Sequence, residues 1–151
     1  MARMGPRYKV HFRRKREGKT DYRKRLKLLK SKMPRLVVRI TSKRVHAMIC
    51  KPSDIGDYTL VNTTSDHLKK YGWKGDGSNT SAAYLVGLLC GKRALNIGIK
   101  ECILDIGTHT PKKGIKAFAA LRGALDAGLS IPHEKEVMPD ENRISGKHVA
   151  E

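Results

Sequence analysis

The chain has 151 residues, of which 39% are hydrophobic, enough for one domain with a modest core. Its 32 Lys and Arg residues outnumber 14 Asp and Glu, so the formal net charge is +18. A charge of this size predicts a polyanionic partner. The longest apolar run, 82–90, is too short to cross a bilayer, which needs about 20 residues.

The expected compartment is cytoplasmic. No apolar segment follows the basic N-terminus as it would in a signal peptide. The three cysteines, Cys50, Cys90 and Cys102, lack the two-residue spacing of zinc-binding or redox motifs. We therefore predict that they are buried free thiols in a reducing environment.

The excess charge is concentrated at the N-terminus, where residues 1–32 carry 14 basic and 2 acidic residues, a net charge of +12. Residues 1–19 have too few apolar side chains to bury a face, so we expect disorder until a partner binds. Thr20 can cap a short helix. That helix would pack on the rest of the protein through one apolar stripe and expose its charged residues to solvent. The stripe consists of Tyr22, Leu26 and Leu29. We interpret 1–32 as a basic RNA-binding arm with a short helix.

Beyond residue 32 the pattern becomes that of a folded domain, predicted to span 33–131. Three segments rich in β-branched residues indicate an antiparallel meander of half-exposed strands, at 35–41, 44–51 and 57–64. One face would enter the core, and the other would present Arg, His and Thr to solvent or to a ligand. A helical turn at 66–71 and a glycine-rich loop follow.

The rest of the domain alternates helix and strand. Two helices are predicted, 79–97 and 114–127, and each ends before a glycine. Between them, 101–106 is a short apolar strand of the kind found in parallel pairings. This order predicts an α/β fold, a two-layer sandwich whose mixed sheet of three antiparallel strands and one parallel strand carries helices on one face. The polar tail, 132–151, is expected to be extended or dependent on a partner.

The sequence offers no support for catalysis. Gly87 to Lys92 approximates a phosphate-binding loop but is one residue short and lies within a helix, where small residues favour close helix–sheet packing. A ribonuclease-H-like nuclease needs several carboxylates to hold two metals about 4 Å apart. Only Asp105 is suitably placed on a strand, so we expect it to be a hydrogen-bonded structural residue. We predict no catalytic residue, metal, cofactor or small-molecule substrate.

Basic residues interleaved with aromatic ones indicate RNA binding instead. A guanidinium group can donate two hydrogen bonds to one phosphate, while aromatic rings stack on unpaired bases. The arm has this composition, and so does the loop 69–74, although Trp73 could equally cap the core. A third segment, 108–114, brings two lysines to a helix N-terminus that favours anions. RNA is favoured over DNA because no groove-reading motif is present.

A resemblance to a known family is carried by three strings: GPRYKVHFRRKREGKTDYRKRLKLLKS (5–31), KKYGWKGDGSNTSAAYLVGLLCGKRAL (69–95) and ILDIGTHTPKKGIKAFAALRGALDAGLSIPH (103–133). Along 5–144 the chain resembles the universal large-subunit ribosomal protein eighteen family, in its archaeal and eukaryotic form. The resemblance implies a small α/β sandwich with a basic N-terminal extension. It also implies a structural protein that binds 5S rRNA and helps attach it to the 23S-type rRNA in the central protuberance, beside neighbouring ribosomal proteins.

Composition and resemblance together give one set of candidate RNA-binding residues. The resemblance maps the family's RNA-binding segment onto residues 7–27 and implies further contacts from the loops 71–74 and 109–113. The candidates are Arg7, Tyr8, Lys9, Phe12, Arg13, Arg14, Lys15, Arg16, Lys19, Thr20, Tyr22, Arg23, Arg25, Lys27, Arg44, His46, Tyr71, Trp73, Lys74, His109, Lys112 and Lys113.

Two other functions remain open at this point. One is a metal-dependent nuclease on a ribonuclease-H-like fold, which would cleave RNA with Mg²⁺ and depend on Asp105. The other is a non-specific nucleic-acid-compacting protein, for which any duplex would compete as well as a chosen RNA.

Overall fold

The computed structural model describes residues 5–147, so residues 1–4 of the predicted arm and 148–151 of the predicted tail lie outside it. Its helices are α1 (Arg13–Arg16), α2 (Tyr22–Lys30), α3 (Thr80–Asn96), α4 (Lys116–Asp126) and α5 (Glu141–Ser145). Its strands are β1 (Arg35–Ile40), β2 (Val45–Pro52), β3 (Asp57–Thr64) and β4 (Ile103–Asp105). Short 3₁₀ helices span Ser65–Tyr71 and Lys135–Val137.

The strands form one mixed sheet in the order β3-β2-β1-β4. β1 and β3 both pair antiparallel with β2, and β4 pairs parallel with β1. The predicted meander and the predicted parallel strand are confirmed. β4 is shorter than predicted and forms one edge of the sheet, while a bulge on the β2–β3 pairing twists the other edge.

The core lies between this sheet and the two long helices. Alternate residues of the strands are fully buried on the side that α3 and α4 cover; they include Leu36, Val38, Val45, Ala47 and Ile49. Because side chains alternate across a strand, the same strands supply a second face on the opposite side. The predicted two-layer α/β sandwich is therefore confirmed.

Both long helices begin and end where the sequence indicates. The side chain of Asn79 accepts a hydrogen bond from the Ala82 backbone N–H at 2.6 Å and caps α3. Gly98 and Gly128 follow the two helices with φ values of +83° and +109°, a left-handed conformation that glycine adopts without steric cost.

The glycines of α3 serve helix–helix packing rather than the helix–sheet packing expected from the sequence. A Cβ at Gly87 would overlap the carbonyl of Ala120 on α4, and a Cβ at Gly123 would overlap the carbonyl of Tyr84 on α3. At Gly91 a Cβ would lie 2.6 Å from the Cβ of Ala127. Small residues on both sides thus let the two helix backbones come into direct contact.

Two sequence expectations need correction. Leu26 was expected on the docking stripe of α2 but is 57% exposed, because the half-buried side of the helix consists of Tyr22, Arg25, Leu28 and Leu29. The tail is not simply extended, since it forms a 3₁₀ turn and then α5, which contacts α3. Within residues 5–147 no helix combines the length and the apolarity that a membrane crossing requires.

The contact between α3 and α4 yields a stability prediction. We expect Gly87→Ala to lower the free energy of unfolding by about 1–3 kcal/mol, because an added methyl group forces the two helices apart. Gly56→Ala is the control, since a Cβ there meets nothing within 4 Å, and it should change stability by less than about 0.5 kcal/mol. Urea unfolding followed by circular dichroism measures both, and equal effects would contradict the packing argument.

Candidate nucleic-acid interface

The N-terminal arm is exposed along its whole described length before α2. Residues 5–19 form one helical turn, α1, and no other helix or strand, and each of them is solvent-exposed. The Phe12 side chain is 72% exposed even though its ring lies 5.2 Å from that of Tyr22. Local contacts shape the arm, such as the 2.9 Å hydrogen bond that Arg14 Nε donates to the Thr20 hydroxyl.

The cap of α2 is Asp21 rather than the predicted Thr20. The Asp21 carboxylate accepts hydrogen bonds from the backbone N–H groups of Arg23 and Lys24 at 3.0 and 3.1 Å. The bond from Lys24 is the main reason why the pKa of Asp21 is lowered. The Thr20 hydroxyl instead accepts a hydrogen bond from Arg14, so Thr20 links α1 to α2.

A chain of five charged side chains joins α2 to the sheet. Arg25 on α2 donates two hydrogen bonds to the Asp57 carboxylate, at 2.8 and 2.9 Å. Arg35 on β1 donates to Asp57 at 2.6 Å and to Asp105 at 2.8 Å. Arg39 donates to the other oxygen of Asp105 at 3.1 Å. Three guanidinium groups and two carboxylates thus alternate from the arm across the sheet.

This arrangement places α2 over the sheet face opposite α3 and α4. That face was expected to be open to solvent or a ligand, but Arg35, Val37, Cys50 and Asp105 are buried there. The difference arises because the sequence does not reveal that the arm folds back over these strands. The part of the outer face beneath α2 is therefore covered by the helix, while Arg39 and His46 on the same face stay half-buried.

A cleft of about 760 Å³ lies between α2 and the outer sheet face. It is lined by seven basic side chains, Arg14, Lys19, Lys24, Arg25, Lys27, Arg35 and Arg39, against three acidic ones, Asp21, Asp57 and Asp105. Pro111 also lines the cleft, so the loop 108–114 borders it. The lining carries a net positive charge, and clefts of this kind concentrate anions.

The structure brings part of the predicted set together around this cleft. Thr20, Tyr22, Arg25 and Lys27 line it together with the two arm residues Arg14 and Lys19. The remaining arm candidates, all exposed, are Arg7, Tyr8, Lys9, Phe12, Arg13, Lys15, Arg16 and Arg23. The loop candidates His109, Lys112 and Lys113 are exposed beside Pro111.

The other candidates lie elsewhere. Trp73 packs against the core and lines a separate cavity of about 470 Å³ with residues of α3, α4 and α5; its neighbours Tyr71 and Lys74 are exposed. The Trp73 indole N–H donates to the backbone carbonyl of Asp76 at 3.3 Å. Arg44 pairs with Asp66 at 2.8 Å. His46 is half-buried on β2, on the same sheet face as Arg39.

Sequence reasoning missed Asp57, Arg35 and Arg39 as a linked group. A signal was present, because Arg35 and Arg39 occupy alternate positions of one strand and therefore share a face. The partner of Arg25, however, lies 32 residues away along the chain, and no local spacing connects the two.

The described residues offer little chemistry beyond binding. Both carboxylate oxygens of Asp105 accept arginine hydrogen bonds, and one also accepts the Gly107 N–H at 2.8 Å, which agrees with the predicted structural role. Burial raises the pKa of Cys90 to about 12 and that of Cys102 to about 11, so neither is a thiolate at neutral pH. Cys50, Cys90 and Cys102 are buried free thiols, as predicted. Across 5–147 no cluster of three His, Cys, Asp or Glu side chains could hold a metal ion.

Comparison with known proteins identifies relatives along nearly the whole chain. Residues 6–101 and 98–134 match the family model described as ribosomal large subunit proteins 60S L5 and 50S L18. The large ribosomal subunit protein uL18 of Methanothermobacter thermautotrophicus is 57% identical over 147 residues, 97% of this chain and 77% of that protein. The protein of the same name from Methanosphaera stadtmanae is 54% identical over 151 residues, 100% of this chain and 78% of that protein.

The docking of α2 yields a pH prediction. Chiefly because Arg25 donates to it, the pKa of Asp57 lies below its usual 3.8. Its ionised form therefore stabilises the fold above about pH 4, and this contribution is lost as the pH falls through the lowered pKa. We expect Asp57→Asn to lower the free energy of unfolding at pH 7 by about 1–2 kcal/mol.

The free energies of unfolding of the native chain and of Asp57→Asn should become more similar as the pH falls below 4. Thermal unfolding at pH 7, 4 and 3 measures it. Asp54→Asn serves as the matched control, because Asp54 is exposed in the neighbouring turn and should show no difference at any pH. A difference for Asp57→Asn that stays constant from pH 7 to pH 3 would contradict the ionic origin of this contribution.

Proposed function

The chain belongs to the family of ribosomal large subunit proteins L5 and L18, and we propose that in the large subunit it binds 5S rRNA and helps attach it to the 23S-type rRNA in the central protuberance. Family membership makes the chain a structural protein of the large subunit of the cytoplasmic ribosome, with rRNA and ribosomal proteins as its partners. The observation that carries the finer proposal is the exposed basic arm held beside a positively charged cleft on a folded domain.

The arm suits a structured RNA because it combines two kinds of contact. Its arginines and lysines can replace condensed counterions on phosphates. Tyr8 and Phe12 are 45% and 72% exposed, and exposed aromatic rings of this kind stack on unpaired bases. The cleft and the loop with Lys112 and Lys113 extend this basic surface across the folded domain. The arm and the globular part would then contact the RNA on one continuous side.

We assign a separate role to each part of the chain. Residues 1–32 would be the RNA-binding arm, 33–131 the rigid scaffold that presents it, and 132–151 a tail available to neighbouring proteins. In the loop 69–74, Tyr71 is 71% exposed and is the better aromatic candidate for RNA. The packing of Trp73 against the core supports a capping role for that residue.

Removing residues 1–19, the part of the arm before α2, tests its role directly. Deleting residues 1–19 should weaken 5S rRNA binding by at least about 100-fold in 50 mM salt and reduce the dependence of affinity on salt, because these residues supply many phosphate contacts. The melting temperature should stay almost unchanged, since residues 5–19 have no buried side chain. Filter binding and thermal melting give both quantities, and equal RNA affinity with and without the arm would refute the proposal.

A competition assay separates specific recognition from general compaction of nucleic acids. We expect unlabelled 5S rRNA to displace labelled 5S rRNA from the full chain at concentrations at least about 100-fold lower than a random duplex of the same length, in 150 mM salt. The affinity of a specific protein–nucleic acid complex commonly exceeds that of a non-specific complex by a larger factor than this. Equal competition by the random duplex would favour the compacting protein. RNA that is cut in the presence of Mg²⁺ would favour the nuclease.

A further inference from the structure

The position of α2 depends on few contacts. No residue of this helix is fully buried, and only the side that carries Tyr22, Arg25, Leu28 and Leu29 is half-covered. Among the described residues, the hydrogen bonds between side chains that link α2 to the sheet are the two from Arg25 to Asp57. Apolar packing thus holds α2 weakly, and the orientation of the helix depends on this bidentate ion pair.

Asp57 is itself held in place from the sheet side. Arg35, which is 1% exposed, donates to Asp57 at 2.6 Å and to Asp105 at 2.8 Å. A buried guanidinium with two carboxylate partners has little freedom to move. Asp57 therefore connects the exposed helix α2 to a fixed point in the sheet.

The orientation of α2 decides which of its side chains face outward. With Arg25 turned to the sheet, the other basic residues of the helix are exposed, Arg23, Lys24, Lys27 and Lys30, and Lys24 and Lys27 among them also line the cleft. Arg14 and Lys19, which precede the helix, line the same cleft. A free helix would present these charges in many directions, and an RNA would have to order them on binding.

On the premise that the arm binds rRNA as proposed above, we propose that Asp57 is a positioning residue for RNA binding, which fixes the basic side of α2 toward the RNA through Arg25. Arg25, a candidate RNA contact in the sequence, then acts through Asp57 rather than on a phosphate. A positioning role predicts an effect on RNA affinity opposite to the one expected from charge alone. Removing an acidic side chain near a polyanion should strengthen binding, whereas loss of the positioning contact should weaken it.

The test compares three chains with the native protein for 5S rRNA affinity between 50 and 200 mM salt. Asp57→Asn removes the carboxylate charge, Asp57→Glu keeps it, and Asp54→Asn makes the same charge change in the neighbouring exposed turn. We expect Asp57→Asn to bind about 10-fold more weakly, with a slope of log affinity against log salt that is shallower by about one. Asp57→Glu should recover most of the loss, and Asp54→Asn should bind equally or slightly more tightly.

The salt slope separates positioning from simple loss of folded protein. A smaller folded fraction lowers affinity by a constant factor and leaves the slope unchanged, so a weaker Asp57→Asn with the native slope would overturn the proposal. Equal or tighter binding by Asp57→Asn would overturn it too. Deletion of residues 1–19, measured in parallel, isolates the premise: if that deletion leaves affinity intact, the proposed function fails.

Hydrogen exchange on the protein without RNA gives a second, independent measurement. In Asp57→Asn the amides of α2 should exchange faster than in the native chain, while the amides of β1 and β2 keep their protection. Unchanged exchange in α2 would show that Asp57 does not hold the helix and would overturn the positioning role.

Discussion

The buried guanidinium of Arg35 is the constraint on which the charged half of this structure depends. A lone charge in a protein interior is strongly unfavourable, so Arg35 requires carboxylate partners. It has two, Asp57 from β3 and Asp105 from β4, and these strands lie at opposite edges of the sheet. Arg35 therefore ties both edges to β1 and fixes the outer face across its full width. Arg25 and Arg39 extend the same network at its two ends.

The two faces of the sheet are closed by different physical means. On the α3 and α4 side, small residues such as Gly87 and Gly123 bring helix backbones into contact over an apolar core. On the α2 side, ion pairs supplement limited apolar packing beside a cleft with a net positive lining. The first face provides stability. The second face can stay accessible, because a helix held by charge at one point does not seal the surface beneath it.

The sequence predicts the apolar half of the fold well and the charged half poorly. The alternation in β1 to β3 and the glycines that end α3 and α4 are local signals, and the structure confirms them; the apolar segment 101–106 also forms a strand, but only over Ile103–Asp105. The docking stripe of α2 is wrong at Leu26 because the helix packs through Arg25 and Leu28, which lie beside Tyr22 and Leu29 on the helix, and a search for apolar residues alone passes over the charged Arg25. The cap of that helix is Asp21 because the Thr20 hydroxyl is taken by Arg14. The cap is a local contact, whereas the pairing of Arg25 with Asp57 joins residues 32 positions apart, which local patterns do not encode.

The same network limits the effect of a net charge of +18 on the folded domain. Asp57 and Asp105 pair with the guanidinium of Arg35, the buried basic residue of the described chain. The repulsive excess lies mainly in the arm, whose described residues up to 19 are all exposed and can separate from one another in water. Self-repulsion therefore acts on the arm rather than on the core. An RNA that neutralises the arm would relieve this repulsion without any rearrangement of the sheet.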